Sequence, residues 1–252
     1  MTRLRALVLA ALAVVLLAGC GSVPRPAAGI GTYLKGPKPL PSAIAGLHLV
    51  DSSGHARSLA QLRGKVVVVQ DTMTLCQETC PMDTAALVKT AREVDAAGLT
   101  SKVEFVTVTV DPHRDTPAQL AAYRELYAGT KQDLPNWVLL TGKPKVVDTL
   151  WKFLGVYRKR VPQDDPPPKN WRTGKTLTYD IEHSDEAFFF DTRLRERFIL
   201  EGMPTAGKGS IPARIRKFLS KEGRDNLHKA GDWTTGQALD VIGWLADKRI
   251  SG

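Results

Sequence analysis

Four consecutive valines at positions 66–69 constrain the fold of this chain more than any other feature. A run so short and so apolar, continuing to Gln70, is typical of a strand that is covered on both faces. Residues 81–97 follow it with apolar side chains at helical spacing. A buried strand followed by a helix predicts an α/β protein with a layered sheet.

The alternation of strands and helices continues along the chain. Apolar runs predict strands at 103–110 and 137–140, helices at 116–127 and 145–154, a hairpin of 187–190 with 197–200, and an amphipathic helix at 235–248. An earlier hairpin is predicted from 47–50 and 56–59 around a turn at 51–54. The predicted fold class is α/β, a central mixed sheet flanked by helices, with an N-terminal hairpin and a C-terminal insertion and helix.

Two stretches give weaker patterns. Residues 161–178 contain three consecutive prolines and are predicted to form a loop. Residues 206–232 are basic and only patchily amphipathic. They are interpreted as a solvated helix, with an insertion that docks a partner as the alternative.

Residues 1–19 have the features of a bacterial lipoprotein signal peptide. Arg3 and Arg5 precede an apolar stretch at 6–18, which is short for a membrane span. The stretch ends in Leu-Ala-Gly-Cys, which resembles a lipobox, in which the cysteine carries a lipid and becomes the mature N-terminus. Cys20 is therefore the predicted lipidation site, and the predicted location is the extracytoplasmic face of the bacterial cell membrane. An ordinary secretory signal with a chance cysteine is the alternative.

Residues 20–45 are rich in proline and glycine and are predicted to be an extended, lipidated tether, which leaves 46–252 as the folded domain. The formal net charge of +9 suits an anionic membrane surface. No basic-aromatic recognition motif is present, and an export signal argues against nucleic acid as a partner.

If Cys20 carries the lipid, only Cys76 and Cys80 remain for chemistry. Pro81 is favoured in the first turn of a helix, so Cys80 is predicted at a helix N-terminus, where backbone N–H groups and the dipole favour the thiolate. Thiolates bind soft metals and attack disulfides, and the pair alone leaves both roles open.

His183, just before the apolar residues 187–190, is the third candidate site residue. Two thiolates and one imidazole form a soft site of low coordination number, which suits Cu(I), whereas structural zinc requires a fourth protein ligand. A lone histidine is more often a packing or surface residue, so its position alone does not decide its role.

Three stretches taken together resemble the Sco/SenC family of copper chaperones, over roughly residues 45–250. They are 76–81, which matches C-x3-C-P, 108–117, which matches V-D-P-x-R-D-T-P, and 181–184, which matches V-D-H-S. The resemblance implies a thioredoxin-like fold and the copper ligands Cys76, Cys80 and His183. It implies an outer-shell or partner-contact role for Asp111, with helix capping as the alternative role of Asp115 and Thr116, and an exposed His113.

The same resemblance implies a metallochaperone that carries Cu(I), with Cu(II) as a second state. Its implied recipient is the dinuclear copper A site of cytochrome c oxidase subunit II, and other copper chaperones or a thiol reductant are further partners. Ligand exchange predicts that the motif lies at a surface. Three departures from the family pattern, at 71–74, at 77–79 between the cysteines and at Glu182, leave the implied ligands intact.

The alternative function is a thiol–disulfide oxidoreductase that reduces the copper-ligand cysteines of the oxidase. The C-x3-C spacing and the lack of a proline near His183 argue against a general oxidoreductase. A peroxiredoxin-like peroxidase and a purely structural disulfide rank lower. A bond between positions four apart would constrain little chain entropy.

Overall fold

A computed structural model describes residues 23–27, 29–37, 39–129 and 132–250. The predicted signal peptide and Cys20 lie outside these residues. Within them, no helix has the length and apolar character needed to cross a membrane.

The described residues form ten strands and seven helices. The strands are β1 (Thr32–Tyr33), β2 (Leu49–Asp51), β3 (Ala56–Arg57), β4 (Val66–Thr72), β5 (Val103–Thr109), β6 (Trp137–Gly142), β7 (Arg158–Val161), β8 (Asp180–His183), β9 (Glu186–Phe190) and β10 (Glu196–Glu201). The helices are α1 (Ser42–Ala45), α2 (Cys80–Ala96), α3 (Pro117–Ala128), α4 (Pro144–Leu154), α5 (Ala213–Phe218), α6 (Lys221–Asn226) and α7 (Thr235–Ala246).

Eight of the strands form one mixed sheet in the order β1-β10-β9-β4-β5-β6-β2-β3. β4, β5 and β6 run parallel, and the other neighbours are antiparallel. The valine strand β4 lies inside this sheet between β9 and β5, and all seven of its residues are buried. The strand and helix order predicted from the sequence is confirmed, with ends that shift by a few residues.

The valines of β4 alternate between two hydrophobic cores because successive side chains of a strand point to opposite faces. Val66 and Val68 belong to the core that packs under α2, α3 and α7. Val67 and Val69 belong to the core that packs under α4, with Leu150 and Trp151. The sheet is therefore the middle layer of three, as its apolar strands require.

The folded part of the chain begins before the predicted boundary at residue 46. Thr32 and Tyr33 pair with β10, and the Tyr33 ring packs edge-on against Phe198 at 4.7 Å between centroids. The prediction of an extended tether is therefore corrected for residues 32–37 and 39–45. Proline and glycine content suggested a tether there, whereas Tyr33 pairs with the sheet edge and Leu40 and Ala45 are buried in the core under α4.

Two weakly patterned stretches are also folded. Ile211, Ile215 and Leu219 are buried in the core under α2, so residues 206–232 do not form a solvated helix. The loop predicted at 161–178 connects β7 to β8, and these two strands pair as a separate two-stranded ribbon. The sequence did not predict this ribbon, because its strands are mostly charged and lack a regular alternation of apolar and polar residues.

Replacing Phe189 with alanine tests the central packing. Phe189 is 1% exposed between β4 and β10, so its loss should reduce the free energy of unfolding by about 3–5 kcal/mol in a denaturant titration. The matched variant Phe153→Ala removes a side chain that is 45% exposed and should change it by less than about 0.5 kcal/mol. Equal losses in the two variants would contradict the layered core.

Candidate metal centre

The two cysteines flank the start of α2, directly beyond the end of β4. Cys80 is the first residue of the helix, with Pro81 in its first turn, as the sequence predicted. Cys76 lies in the preceding loop, where its backbone N–H donates to Met73 O at 3.0 Å. Both thiols are free; Cys80 is fully buried and Cys76 is partly buried.

His183 reaches the thiols from the end of the ribbon. It is the last residue of β8, opposite Arg158 of β7, rather than part of a loop. Its Nε2 lies 3.3 Å from Cys80 Sγ. The Cys76 thiol is close enough for Cys80 and His183 to shift its pKa. The fold thus places His183 against Cys80, with Cys76 nearby but outside the group of ligand atoms that lie within 4.8 Å of one another.

Asp71 orients this imidazole, and the sequence analysis did not assign it a role. Its Oδ2 lies 2.7 Å from His183 Nδ1, which is also 2.9 Å from Ser184 O. Its other oxygen accepts the Glu186 N–H at 3.0 Å. Both oxygen acceptors lie on the Nδ1 side of the ring, so Nε2 faces Cys80. Carboxylates beside metal-binding histidines commonly orient the ring in this way. An aspartate at the end of an otherwise apolar buried strand was the available clue.

Asp185 is a second carboxylate at the site that sequence reasoning missed. One ligand atom each from Cys80, His183 and Asp185 lies within 4.8 Å of the others, a grouping that could hold a metal ion. The Asp185 side chain is 17% exposed, and its Oδ1 is 3.6 Å from His183 Nδ1. Its position two residues after the predicted histidine ligand was the only hint in the sequence.

Burial and the neighbouring thiol keep both cysteines protonated. Burial raises the pKa of Cys80 to about 11. The pKa of Cys76 is raised well above its usual value because its thiol donates a hydrogen bond to Cys80, with burial as the second cause. The helix N-terminus was expected to favour the thiolate, but desolvation outweighs it here. A metal that binds both sulfurs must therefore displace protons.

The surrounding carboxyl groups favour positive charge in the site. Burial lowers the pKa of His183, but the hydrogen bond and charge of Asp71 outweigh it and raise that pKa well above the usual value. Burial, followed by the charges of Asp185 and Asp71, raises the pKa of Asp83. Glu186 has its pKa raised to about 7, chiefly by burial. These groups make the pocket suitable for a cation.

Asp111 lies near the site but faces other partners. Its side chain is 1% exposed, pairs with Arg114 and accepts a hydrogen bond from Tyr179 OH at 3.0 Å. Arg114 also donates to Met73 Sδ at 3.2 Å and to the Tyr179 carbonyl. Asp111 therefore connects the segments that precede Cys76 and His183, and its burial leaves it no surface for a partner to contact.

Asp115 braces the cysteine loop instead of capping a helix. It accepts hydrogen bonds from Thr74 N at 3.2 Å, from the Thr74 hydroxyl and from Thr109 Oγ1 at 2.6 Å. Thr116 provides the predicted cap of α3, because its hydroxyl accepts the Gln119 N–H at 3.3 Å. His113 is exposed, as expected.

The expectation of a surface site holds only in part. The side chain of His183 is 4% exposed and Cys80 is fully buried, so Cys76 is the most accessible of the three. Residues 77–79 between the two cysteines are partly or fully exposed, with Glu78 the most exposed. The surface of the motif is therefore formed by this loop and Cys76.

Residues 41–218 match the model of the SCO1/SenC family, which is well over half of the chain. The chain belongs to the SCO1/SenC family. The human mitochondrial SCO2 homolog is 32% identical to this SCO1/SenC protein over 118 residues, which is 47% of the chain and 42% of that relative. The match thus spans less than half of the relative's length.

Two solved structures share the fold. Arabidopsis thaliana ScoI with copper bound is 20% identical, with a TM-score of 0.50 over 78% of this chain and 99% of that one. A SCO1/SenC family lipoprotein from Bacillus anthracis is 22% identical, with a TM-score of 0.50 over 68% of this chain and 89% of that one. The predicted family and the thioredoxin-like fold are confirmed.

Replacing Asp71 with asparagine should lower the pKa of His183, because the ion pair that raises it is lost. In the wild type, the raised pKa adds stability that is fully present below the unfolded histidine pKa, about 6.5. That contribution is lost as pH rises through the folded pKa. The variant should flatten this part of the stability–pH curve of protein prepared without copper.

An NMR titration of the His183 ring, with denaturant titrations across the same pH range, measures both effects. The exposed His113 is the internal control, since its ring signals should be the same in the two proteins. An unshifted His183 titration in Asp71→Asn would show that Asp71 does not set the state of the imidazole.

Proposed function

We propose that this protein is a copper metallochaperone that carries Cu(I) on Cys76, Cys80 and His183. The observation that carries the proposal is the 3.3 Å approach of His183 Nε2 to Cys80 Sγ, with Nδ1 already facing Asp71. Two sulfurs and one nitrogen are the donor set that a soft, monovalent copper ion prefers. Family membership and the copper-bound Arabidopsis relative support the same cargo.

Asp185 allows a second oxidation state of the cargo in the same pocket. A carboxylate is a harder ligand than a thiolate and suits Cu(II) better than Cu(I). Its grouping with Cys80 and His183 offers an additional oxygen donor beside the imidazole. We therefore extend the proposal to Cu(II), with Asp185 as a donor in that state only.

The proposed recipient is the dinuclear copper A site of cytochrome c oxidase subunit II. A lipid on Cys20 would hold the domain at the extracytoplasmic face of the membrane, where tethering raises its effective concentration near such a target. The Bacillus anthracis neighbour is a lipoprotein, which supports this placement. Other copper chaperones or a thiol reductant would supply copper and electrons.

A thiol–disulfide oxidoreductase is the second candidate function. The observation that favours it is that Cys76 and Cys80 are both free thiols and lie close enough to shift each other's pKa. Their raised pKa values argue for slow attack on a disulfide, because the thiolate is the nucleophile. Copper delivery is therefore the favoured role.

An anaerobic competition titration with Cu(I) tests the ligand set. Loss of an outer-shell partner typically weakens metal binding by ~10–100-fold, so loss of the ligand itself in His183→Ala should weaken it by at least about 100-fold. Cys80→Ser should abolish tight one-to-one binding. His113→Ala is the matched control and should bind as the wild type does. Tight monomeric binding retained by Cys80→Ser would refute the two-sulfur site.

A transfer assay separates the two candidate functions. The copper-loaded protein is mixed with the soluble domain of an oxidase subunit II whose copper-ligand cysteines are either reduced or joined in a disulfide. Delivery predicts the visible spectrum of a dinuclear copper site with the reduced recipient. Reduction of the disulfide recipient by the copper-free thiols, without copper transfer in either arm, would instead establish the oxidoreductase.

A further inference from the structure

A segment that follows the family match contacts the loop between the two cysteines. The family match stops at residue 218, and Ser220 follows as the cap of α6. The Ser220 backbone N–H donates to the carbonyl of Gln77 at 3.1 Å, and its hydroxyl lies 3.4 Å from the same oxygen. A segment beyond the family match therefore holds a peptide inside the C-x3-C motif.

Gly223 makes this approach so close that a side chain would not fit. A Cβ at Gly223 would lie 1.9 Å from Gln77 O and 3.2 Å from Glu78 Cα. The first distance is far below any contact that real Cβ atoms show, and the atom it meets is backbone, which cannot swing aside. Glycine at this position is thus required for the segment to lie against the loop.

The segment is itself firmly held. Ile215 and Leu219 just before it, and Leu227 just after it, are buried in the core under α2. The Ser220 hydroxyl accepts the Gly223 N–H at 3.0 Å, which caps the turn. The contact to Gln77 is therefore made by a firmly packed segment, so the position of this segment determines the position of the Gln77 carbonyl.

The peptide that Ser220 holds also faces a ligand sulfur. The Gln77 carbonyl and the Glu78 N–H belong to one planar trans peptide, so they point in opposite directions. Fixing the carbonyl towards Ser220 aims the N–H the other way. Glu78 N lies 3.4 Å from Cys76 Sγ and donates to it.

We propose that residues 220–223 are a positioning element for Cys76, which fixes the Gln77–Glu78 peptide so that its N–H donates to the sulfur. This inference rests on the proposed function, since it concerns a copper ligand. An N–H donor withdraws electron density from a metal-bound thiolate, and hydrogen bonds to sulfur ligands tune the potential of a metal centre. The segment beyond the family match thereby adjusts the electronic properties of the site without contacting the cargo.

The variant Ser220→Pro removes the donor to Gln77 with little backbone strain. Ser220 has φ −62° and Leu219 before it has φ −57° and ψ 139°, values that proline and its preceding residue adopt readily. Two effects are expected. The Glu78 amide should exchange with solvent at least about 10-fold faster in copper-free protein, and the sulfur-to-Cu(II) charge-transfer band should move to longer wavelength.

Ser220→Ala is the matched comparison, because it removes the hydroxyl and its cap to Gly223 but keeps the N–H that donates to Gln77. It should change both readouts less than Ser220→Pro does. Gly223→Ala is a second variant that pushes the segment off the loop. Gly236→Ala on α7 is its control, since the nearest atom to that Cβ is 3.8 Å away. Gly223→Ala should reproduce both effects, and Gly236→Ala should reproduce neither.

The two readouts keep the failure of this inference separate from the failure of copper binding. Unchanged Glu78 exchange in both Ser220→Pro and Gly223→Ala, with both proteins folded, overturns the positioning role whether or not copper binds. Faster exchange without any copper binding in the wild type would refute the proposed function instead. A changed amide with an unmoved charge-transfer band would show that the N–H does not act on the sulfur, and would also overturn the inference.

Discussion

The ion pair between His183 and Asp71 is the interaction on which the rest of the site depends. Asp71 is fixed by the central strand of the sheet, and it directs one nitrogen of the imidazole away from the cysteines. The other nitrogen is left towards Cys80. Without this partner, burial alone would lower the pKa of the imidazole and would not decide which nitrogen faces the sulfur. The orientation of one ligand is thus set from within the core.

A second set of contacts places the segments that carry the ligands. Asp115 ties the loop before Cys76 to the end of β5, and Asp111 with Arg114 connects that loop to Tyr179 at the start of the ribbon. The guanidinium groups of Arg114 and Arg160 both pack on the Tyr179 ring, at 3.9 and 3.8 Å from its centroid. Cation–π contacts at these short distances stabilise the ribbon of β7 and β8, which has few apolar residues.

Much of the architecture could be predicted because it depends on local patterns. The valine run, the proline after Cys80 and the threonine before Pro117 each act through their own neighbours, and the structure places the elements accordingly. The roles of Asp71, Asp185 and Gly223 depend on contacts between residues far apart in sequence. Composition also misled at residues 32–37 and 39–45, where Tyr33, Leu40 and Ala45 attach the chain to the sheet and its core despite the prolines and glycines around them. Contacts between residues far apart in sequence produce no periodic pattern from which they could be predicted.

The ribbon of β7 and β8 forms a sheet of its own, separate from the eight-stranded sheet that leads to the cysteines. His183 therefore stands on a different hydrogen-bonded support from the two cysteines, and its contact with Asp71 joins the two supports. In the proposed copper site, the imidazole would have to break this contact in order to leave, while Cys76 and Cys80 would stay together on the segment that leads into α2. Two sulfurs suit a monovalent copper ion, so in that proposal the histidine would be the ligand whose removal is controlled from the core.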